Sequence, residues 1–348
     1  MDNSRSILRC AAAIAICAAL AMLSGCAVRN SAAPGVPNAA AAVPAPRPAP
    51  LGAHAPYAIT AGLDGDLWFT EYQGAGLGEI TPYGKTKRFP IAPGSFAERI
   101  TAGPDGAIWF TDTANNRIGR IDANGSTTYV KLPHPDSAPV GIAAGPDGAI
   151  WFTEHAGNRV GRLTMAGQVT EFALSKDSRP AEIITGPDGN LWVGEDQAGA
   201  IARITPAGKV TEFEIGRSGS HPAMLAAGGD GNVWFTEPAA DKLGRITPLG
   251  TITEFPLPDP GVPLGIAAGP KHNLWVTVVR AHLIYRVAPS GEITEFHTSP
   301  VTSATFIAAG PDGNLWFTEP NGKIGRMTTA GGITEFVFSD PFKKTSSN

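Results

Sequence analysis

The chain has 348 residues, with 42 Gly, 31 Pro, seven Trp, only 17 % charged residues and a formal net charge of −4. That composition suits many short strands joined by tight turns and speaks against a helical fold. Without a basic excess there is no electrostatic footprint for a nucleic-acid partner.

In chain order, Arg5 and Arg9 precede an apolar run from Cys10 to Leu23, short for a bilayer span, so residues 1–25 read as a signal peptide. The run ends in Leu23-Ser24-Gly25-Cys26, which resembles the bacterial lipobox, where small residues precede a Cys that is lipidated and becomes the mature N-terminus. The alternative is an ordinary signal peptide with an incidental Cys. On the lipoprotein reading, acyl chains on Cys26 are the sole membrane attachment and the folded domain stays soluble. Ala27, in place of Asp after the lipidated Cys, is similar to Gram-negative signals for the outer membrane, so the expected location is the periplasmic face of the envelope. Residues 26–52 are mostly Ala, Pro, Gly and small polar residues, with too little apolar bulk to offset ordering entropy, and read as a tether.

Cys10 and Cys17 lie in the removed segment and Cys26 carries the lipid, so the domain is left without a thiol. Disulfide staples, a Cys nucleophile, thiolate zinc sites and Fe–S clusters are thereby excluded. Removal of residues 1–25 takes away Arg5, Arg9 and Asp2, so 27 basic and 31 acidic residues become 25 and 30.

The seven Trp fall at 68, 109, 151, 192, 234, 275 and 316, a period of 41 or 42 residues. In the third copy the pattern predicts four strands: Ile142 to Ala144, Ile150 to Glu154, Val160 to Leu163 and Val169 to Leu174. Asp147-Gly148 supplies the first hairpin turn and Gly167 the third. Four antiparallel strands per copy with no intervening helix match one propeller blade, which buries both faces only by stacking on its neighbours. The prediction is an all-β, seven-bladed β-propeller of four-stranded antiparallel blades over residues 53–338, followed by a tail at 339–348. No spare strand precedes the first copy, so ring closure is expected to rest on packing between the first and last blades. The repeat Trp, and the Phe or Val after it, are expected in the packing between blades.

In such a blade the start of the innermost strand and the end of the second strand share one end, and seven copies surround a channel mouth. The second strands end in Glu71, Asp112, Glu154, Glu195, Glu237, Val278 and Glu319. Six carboxylates in a ring suit a divalent cation or a cationic ligand; alternatively each serves its own blade, for example by pairing with a repeat Arg such as Arg120, Arg162 or Arg245.

Residues that break the repeat are more informative, because packing does not require them. His155, Glu182 and Asp196 are the candidate catalytic groups, since carboxylates beside a His suit a metal site or an acid/base pair. Glu98, Asp112, Glu154, Glu195, His221 and Glu237 are the candidate binding groups, with His221 expected beside Glu237. Solvated loop residues are the alternative.

Three segments carry a family resemblance: Ile-Thr-Ala-Gly-Pro-Asp-Gly-Ala-Ile-Trp-Phe-Thr-Asp at 100–112, Asn-Arg-Ile-Gly-Arg-Ile at 116–121 and Ile-Thr-Glu-Phe-Pro at 252–256. They resemble the streptogramin B lyase (virginiamycin B lyase) family, and the likeness extends over all seven copies. It implies a seven-bladed propeller and a Mg²⁺-dependent β-elimination that opens the ester of a cyclic depsipeptide antibiotic. In that family's pattern, His residues lie two places before the innermost-strand Ile in neighbouring late blades. This chain has Tyr57, Glu98, Val140, Ala181, Ala223, Leu264 and Thr305 at that position. The family's catalytic Glu lies four places after the last Trp, where this chain has Pro320.

Two functions follow. One is a lyase-like or ester-cleaving propeller using a displaced site in blades two to four, with Mg²⁺ or Ca²⁺, on a small cyclic peptide or lactone. The other is a non-catalytic, monomeric envelope lipoprotein that binds a peptide, glycan or protein at the mouth.

Overall fold

The computed structural model describes residues 55–72, 76–216, 220–298 and 303–338. The signal peptide, the tether with Cys26 and the 339–348 tail lie outside these described residues. Seven four-stranded antiparallel sheets follow one another along the chain, each with its strands paired in chain order. The blades span residues 56–90, 97–131, 139–173, 180–214, 225–256, 263–297 and 307–337. No helix among the described residues is long and apolar enough to cross a membrane.

Each second strand, such as Ile150–Glu154, is buried along its whole length, because a neighbouring blade covers each face. The residue after the repeat Trp sets how closely the second and third strands pack. Phe152 stands directly across from Gly161, and a Cβ on that glycine would lie 2.1 Å from the Phe ring tip. The same Phe/Gly pairing recurs in blades one, two, five and seven. In blade four it becomes Val193 against Ala202, and in blade six Val276 against Tyr285. A smaller residue on one strand is matched by a larger one on its partner, as a core near crystal density requires.

The innermost strand of blade three runs Pro139–Ala144, three residues earlier than the pattern predicts. The difference is a β-bulge: Ile142 pairs with Phe152 and Pro139 with Glu154, so Val140 and Gly141 together oppose Thr153. A bulge leaves backbone groups unpaired, and here the Thr hydroxyl supplies the missing partner. Thr153 Oγ1 accepts the Gly141 N–H at 2.7 Å and donates to the Ala181 carbonyl of blade four at 2.8 Å. The arrangement recurs at Thr111, Thr236, Thr277 and Thr318, each donating to the next blade.

Thr318 donates to the Tyr57 carbonyl at 2.7 Å and so joins blade seven to blade one. Arg326 adds a bond from blade seven to the Pro82 carbonyl at 2.8 Å, and Phe69 packs edge-on against Phe338 at 4.9 Å. Among the described residues, closure therefore uses side chains and packing between the first and last blades.

Thr153→Val, which keeps shape but removes the hydroxyl, is expected to leave the Gly141 N–H and Ala181 carbonyl buried without partners. The cost is about 1–3 kcal/mol, read as a lowered urea midpoint, whereas Thr153→Ser stays near the parent.

Candidate functional site

At the mouth, the residue just before the innermost-strand Ile or Leu forms a ring: Ala58, Arg99, Gly141, Glu182, Met224, Gly265 and Phe306. Small residues on three blades make room for long ones on the others. Arg99 Nε, from blade two, donates to Glu182 Oε2 of blade four at 2.9 Å, with both side chains at most 10 % exposed. Its Nη2 lies 3.5 Å from Met224 Sδ in blade five. The guanidinium also sits 4.7 Å from the Phe306 ring centroid and 5.6 Å from that of Tyr57. One side chain thus touches blades one, four, five and seven, and it forms a buried ion pair among them. Burial opposes its charge, but Glu182, Tyr57 and Glu98 hold it protonated.

Beside it, Glu98 is 1 % exposed, and burial pushes its pKa up to about 7 against the pull of Arg99 and Thr113. The Thr113 hydroxyl lies 2.9 Å from Glu98 Oε2 and 2.6 Å from the Pro139 carbonyl oxygen. One hydroxyl proton serves one acceptor, so a neutral Glu98 donating to Thr113 completes the chain. Tyr57, Tyr72 and Phe96 form an aromatic file next to this group, with centroids 5.5 and 6.1 Å apart.

The three candidate catalytic residues have separate partners. His155 is 4 % exposed at the seam between blades three and four, and its Nδ1 lies 3.2 Å from the Pro180 carbonyl oxygen. Burial lowers its pKa, so it sits as a neutral donor. Glu182 is committed to Arg99. Asp196 lies at the seam between blades four and five, its carboxylate 3.3 Å from His221 Nδ1, and that ring nitrogen is 2.8 Å from the Asp196 carbonyl oxygen. His221 therefore pairs with Asp196 and not with Glu237. This is also the seam where Gly194 replaces the bridging Thr, and a Cβ there would lie 3.1 Å from the Pro222 carbonyl oxygen. With the His221 side chain 45 % exposed and Met224 half-buried, this sector is the accessible rim over the Arg99–Glu182 floor.

The acidic second-strand ends do not gather into a ring at the axis. Each is buried within its own blade. Asp112 accepts from Arg117 Nε at 2.7 Å and from Ser95; Glu71 accepts from Arg88. Glu154 pairs with Arg159, which also faces Glu171. Near Glu237, Lys242 meets Glu254 at 3.0 Å. In blade four the cation's place is taken by Ala200, so Glu195 faces Glu212 with no positive charge between them. Burial, then Glu212, pushes the Glu195 pKa up to about 8.

The mouth does not fit the Mg²⁺ that the resemblance implies. Leu264 is buried against Val279, Thr305 bonds to Thr318, and Pro320 offers no side-chain donor. In blades two and four Glu98 and Glu182 lie beside the Arg99 guanidinium, which disfavours a second cation there. Among the described residues, Asp64, Asp66 and Glu79 stand close enough to share an ion, but they lie at the opposite end of blade one.

Sequence reasoning missed Arg99, Met224 and Phe306. The available signal was a charge pairing within one repeat column, because Arg99 and Glu182 occupy the same position in blades two and four.

The sequence pattern of the Virginiamycin B lyase family matches residues 48–262 and 260–344. Among solved structures, a streptogramin B lyase is 35 % identical, covering 81 % of this chain and 94 % of that one, at a TM-score of 0.75. Virginiamycin B lyase from Staphylococcus aureus, in selenomethionine form, is 39 % identical over 80 % of this chain and 97 % of that one, at the same TM-score. A catalytically inactive His-to-Ala variant of the Staphylococcus aureus lyase, in a structure with quinupristin, is 39 % identical over 78 % and 94 %, again at 0.75. No curated protein sequence matches the chain.

The Glu195–Glu212 pair has a consequence for pH. Because the folded Glu195 binds its proton up to about pH 8 while an unfolded Glu releases it near 4.5, its contribution to stability is full below pH 4.5. That contribution is lost as pH rises toward 8. Ala200→Lys, which restores the cation of blades five and seven, is expected to flatten this decline. Denaturation midpoints of parent and variant across pH 4.5–8.5 measure the difference.

Proposed function

This chain belongs to the virginiamycin B lyase family, and from that premise we propose that it is a ligand-binding propeller that does not carry out the family's ring-opening elimination. The carrying observation is in blades six and seven. Where the family's pattern has proton-transferring groups, this chain has Leu264 packed against Val279, Thr305 bonded to Thr318, and Pro320.

The Staphylococcus aureus relative offers a parallel, since its inactive His-to-Ala variant occurs in a structure with quinupristin. This chain has no histidine at either equivalent position. The ligand we propose is a cyclic depsipeptide or similar small peptide, seated on the rim of Asp196, His221 and Met224 over the Arg99–Glu182 floor. The apolar ring surface of such a ligand suits Tyr72 and Met224, and its carbonyls suit the His221 ring and the guanidinium behind it. We further propose attachment to the envelope through acylated Cys26, which would hold this mouth near the membrane.

A second reading rests on Glu98, whose pKa of about 7 is that of a general base poised near neutrality. There, Glu98 takes the proton from the carbon that lies next to an amide carbonyl and adjacent to the carbon bearing the ester oxygen, Arg99 stabilises the developing enolate, and the alkyl C–O bond of the ester breaks to leave an alkene and a carboxylate. Glu98 is buried, so this reading requires the substrate to open the Thr113 contact.

The test is incubation of the full chain with a streptogramin B antibiotic and Mg²⁺, read by calorimetry and mass spectrometry. The expected result is saturable binding, weakened by His221→Ala, with no linear product. Linear product that disappears in Glu98→Gln would replace the binding reading with the second one; neither binding nor product would remove both.

A further inference from the structure

At the end of the propeller opposite the mouth, each blade turns from its innermost to its second strand. In six blades the residue four before the Trp is Asp, and its carboxylate accepts the Trp indole N–H. The distances are 3.1 Å for Asp64, 2.9 Å for Asp105, 3.0 Å for Asp147, 2.9 Å for Asp188, 3.2 Å for Asp230 and 3.1 Å for Asp312. In blades two and three the Arg directly across from the Trp shares that carboxylate, at 2.7 Å from Arg120 and 2.5 Å from Arg162. Arg245 approaches Asp230 at 3.9 Å in blade five. The repeat thus builds a two-donor fork, an indole N–H and a guanidinium, closed by one planar carboxylate.

Blade six keeps the fork and loses the carboxylate. Its Asp-Gly is Lys271-His272. Trp275 is fully buried, and its Nε1 has no hydrogen-bond partner among the described residues. Arg286 still stands across from Trp275 and still stacks on Phe296, at 5.7 Å, but it turns Nη2 to Thr294 Oγ1 at 3.0 Å. The indole nitrogen faces the turn backbone, since a Cβ on Gly269 would lie 2.5 Å from it.

Two exposed residues with basic side chains have replaced the acid, and both adopt left-handed backbone, with φ of 59° for Lys271 and 60° for His272. That conformation is unfavourable for a residue with a Cβ, whereas glycine fills the second of these positions in the other six blades. A buried, unpaired N–H carries a further desolvation cost.

We propose that blade six is a carboxylate-binding site: a ligand's carboxylate takes the place of the missing Asp, held by Trp275 Nε1–H and the Arg286 guanidinium, with Lys271 at the entrance. Blades two and three, and more loosely blade five, show which chemistry completes the fork: a carboxylate. A carboxylate also answers the indole in blades one, four and seven, and in blades two to five and seven it stays below its ordinary pKa. Burial works against this, and the indole, guanidinium, Asn and backbone donors outweigh it. Planarity favours a carboxylate over a tetrahedral anion, because the guanidinium and indole donors converge on the two oxygens of one plane. The site is independent of the mouth and of any ligand there.

The test follows the seven indole N–H signals of the ¹⁵N-labelled full chain by NMR, with Trp275 assigned through Trp275→Phe. Acetate is the probe, titrated at constant ionic strength against chloride. The expected result is a saturable shift of the Trp275 signal while the other six stay in place, with affinity falling about tenfold or more in Arg286→Gln. The double variant Lys271→Asp with His272→Gly installs the turn of the other blades. Its Trp275 signal is expected to be displaced already, and to ignore acetate. An unmoved Trp275 signal, an equal response to chloride, or the same acetate response in the double variant would overturn the proposal. A response to inorganic phosphate without one to acetate would overturn the assignment to carboxylate.

Discussion

In five of the seven blades a single Thr hydroxyl ties the blade to its neighbour. The bulge in the innermost strand frees an N–H, the Thr two places after the Trp accepts it, and the same oxygen donates to the next blade's carbonyl. Where the Thr is present, one oxygen serves both the bulge and the seam; blade four keeps the bulge with Gly194 in its place. Because the bulge lies at the mouth, it also sets where the channel-facing side chains begin. Blade four shows the dependence from the other side: with Gly194 in place of Thr, the Pro222 backbone moves into the vacated space, and the exposed Asp196–His221 contact becomes the seam's polar link. The accessible rim of the mouth is thus a consequence of a missing hydroxyl.

Inside that ring, Arg99 decides what the mouth can do. A buried guanidinium with one carboxylate partner is costly to disturb, since losing either member of such a pair leaves an uncompensated charge worth about 3–5 kcal/mol. The floor is accordingly fixed, and it is neutral overall only with Glu182 ionised. Glu98, next to that pair, is pushed by burial to a pKa of about 7, so near neutral pH it is divided between its neutral and ionised forms and is a weaker cation ligand than an ordinary carboxylate. The electrostatics of the mouth and its poor fit to a divalent cation have the same cause.

Most of the fold was legible because the Trp period fixes strand, turn and blade number together. The innermost strand ran three residues longer than predicted because a bulge breaks the two-residue alternation on which the prediction relied. The site was far less legible. Arg99 and Glu182 are 83 residues apart and meet only across the closed ring, a distance that no local pattern encodes. The acidic strand ends looked like one ring because they share a repeat position; that position faces the third and outermost strands, where Arg117, Arg159 or Arg88 waits. His221 was misplaced toward Glu237 because loop geometry at the altered seam could not be read from the other six copies.

Sevenfold repetition supplies an internal control for every departure, and departures divide by whether the protein can compensate them itself. Phe152 facing Gly161 becomes Val193 facing Ala202 or Val276 facing Tyr285, and the volume is restored on the partner strand. Where Ala200 removes a cation in blade four, a proton on Glu195 neutralises the pair, and solvent can always provide one. Blade six differs in kind. The change to Lys271-His272 removes an acceptor from a buried indole N–H and adds basic groups beside it; no proton can repair that, because both needs call for an anion. Among the described residues no side chain answers the Trp275 indole, and on the carboxylate-site proposal its partner comes from outside the fold.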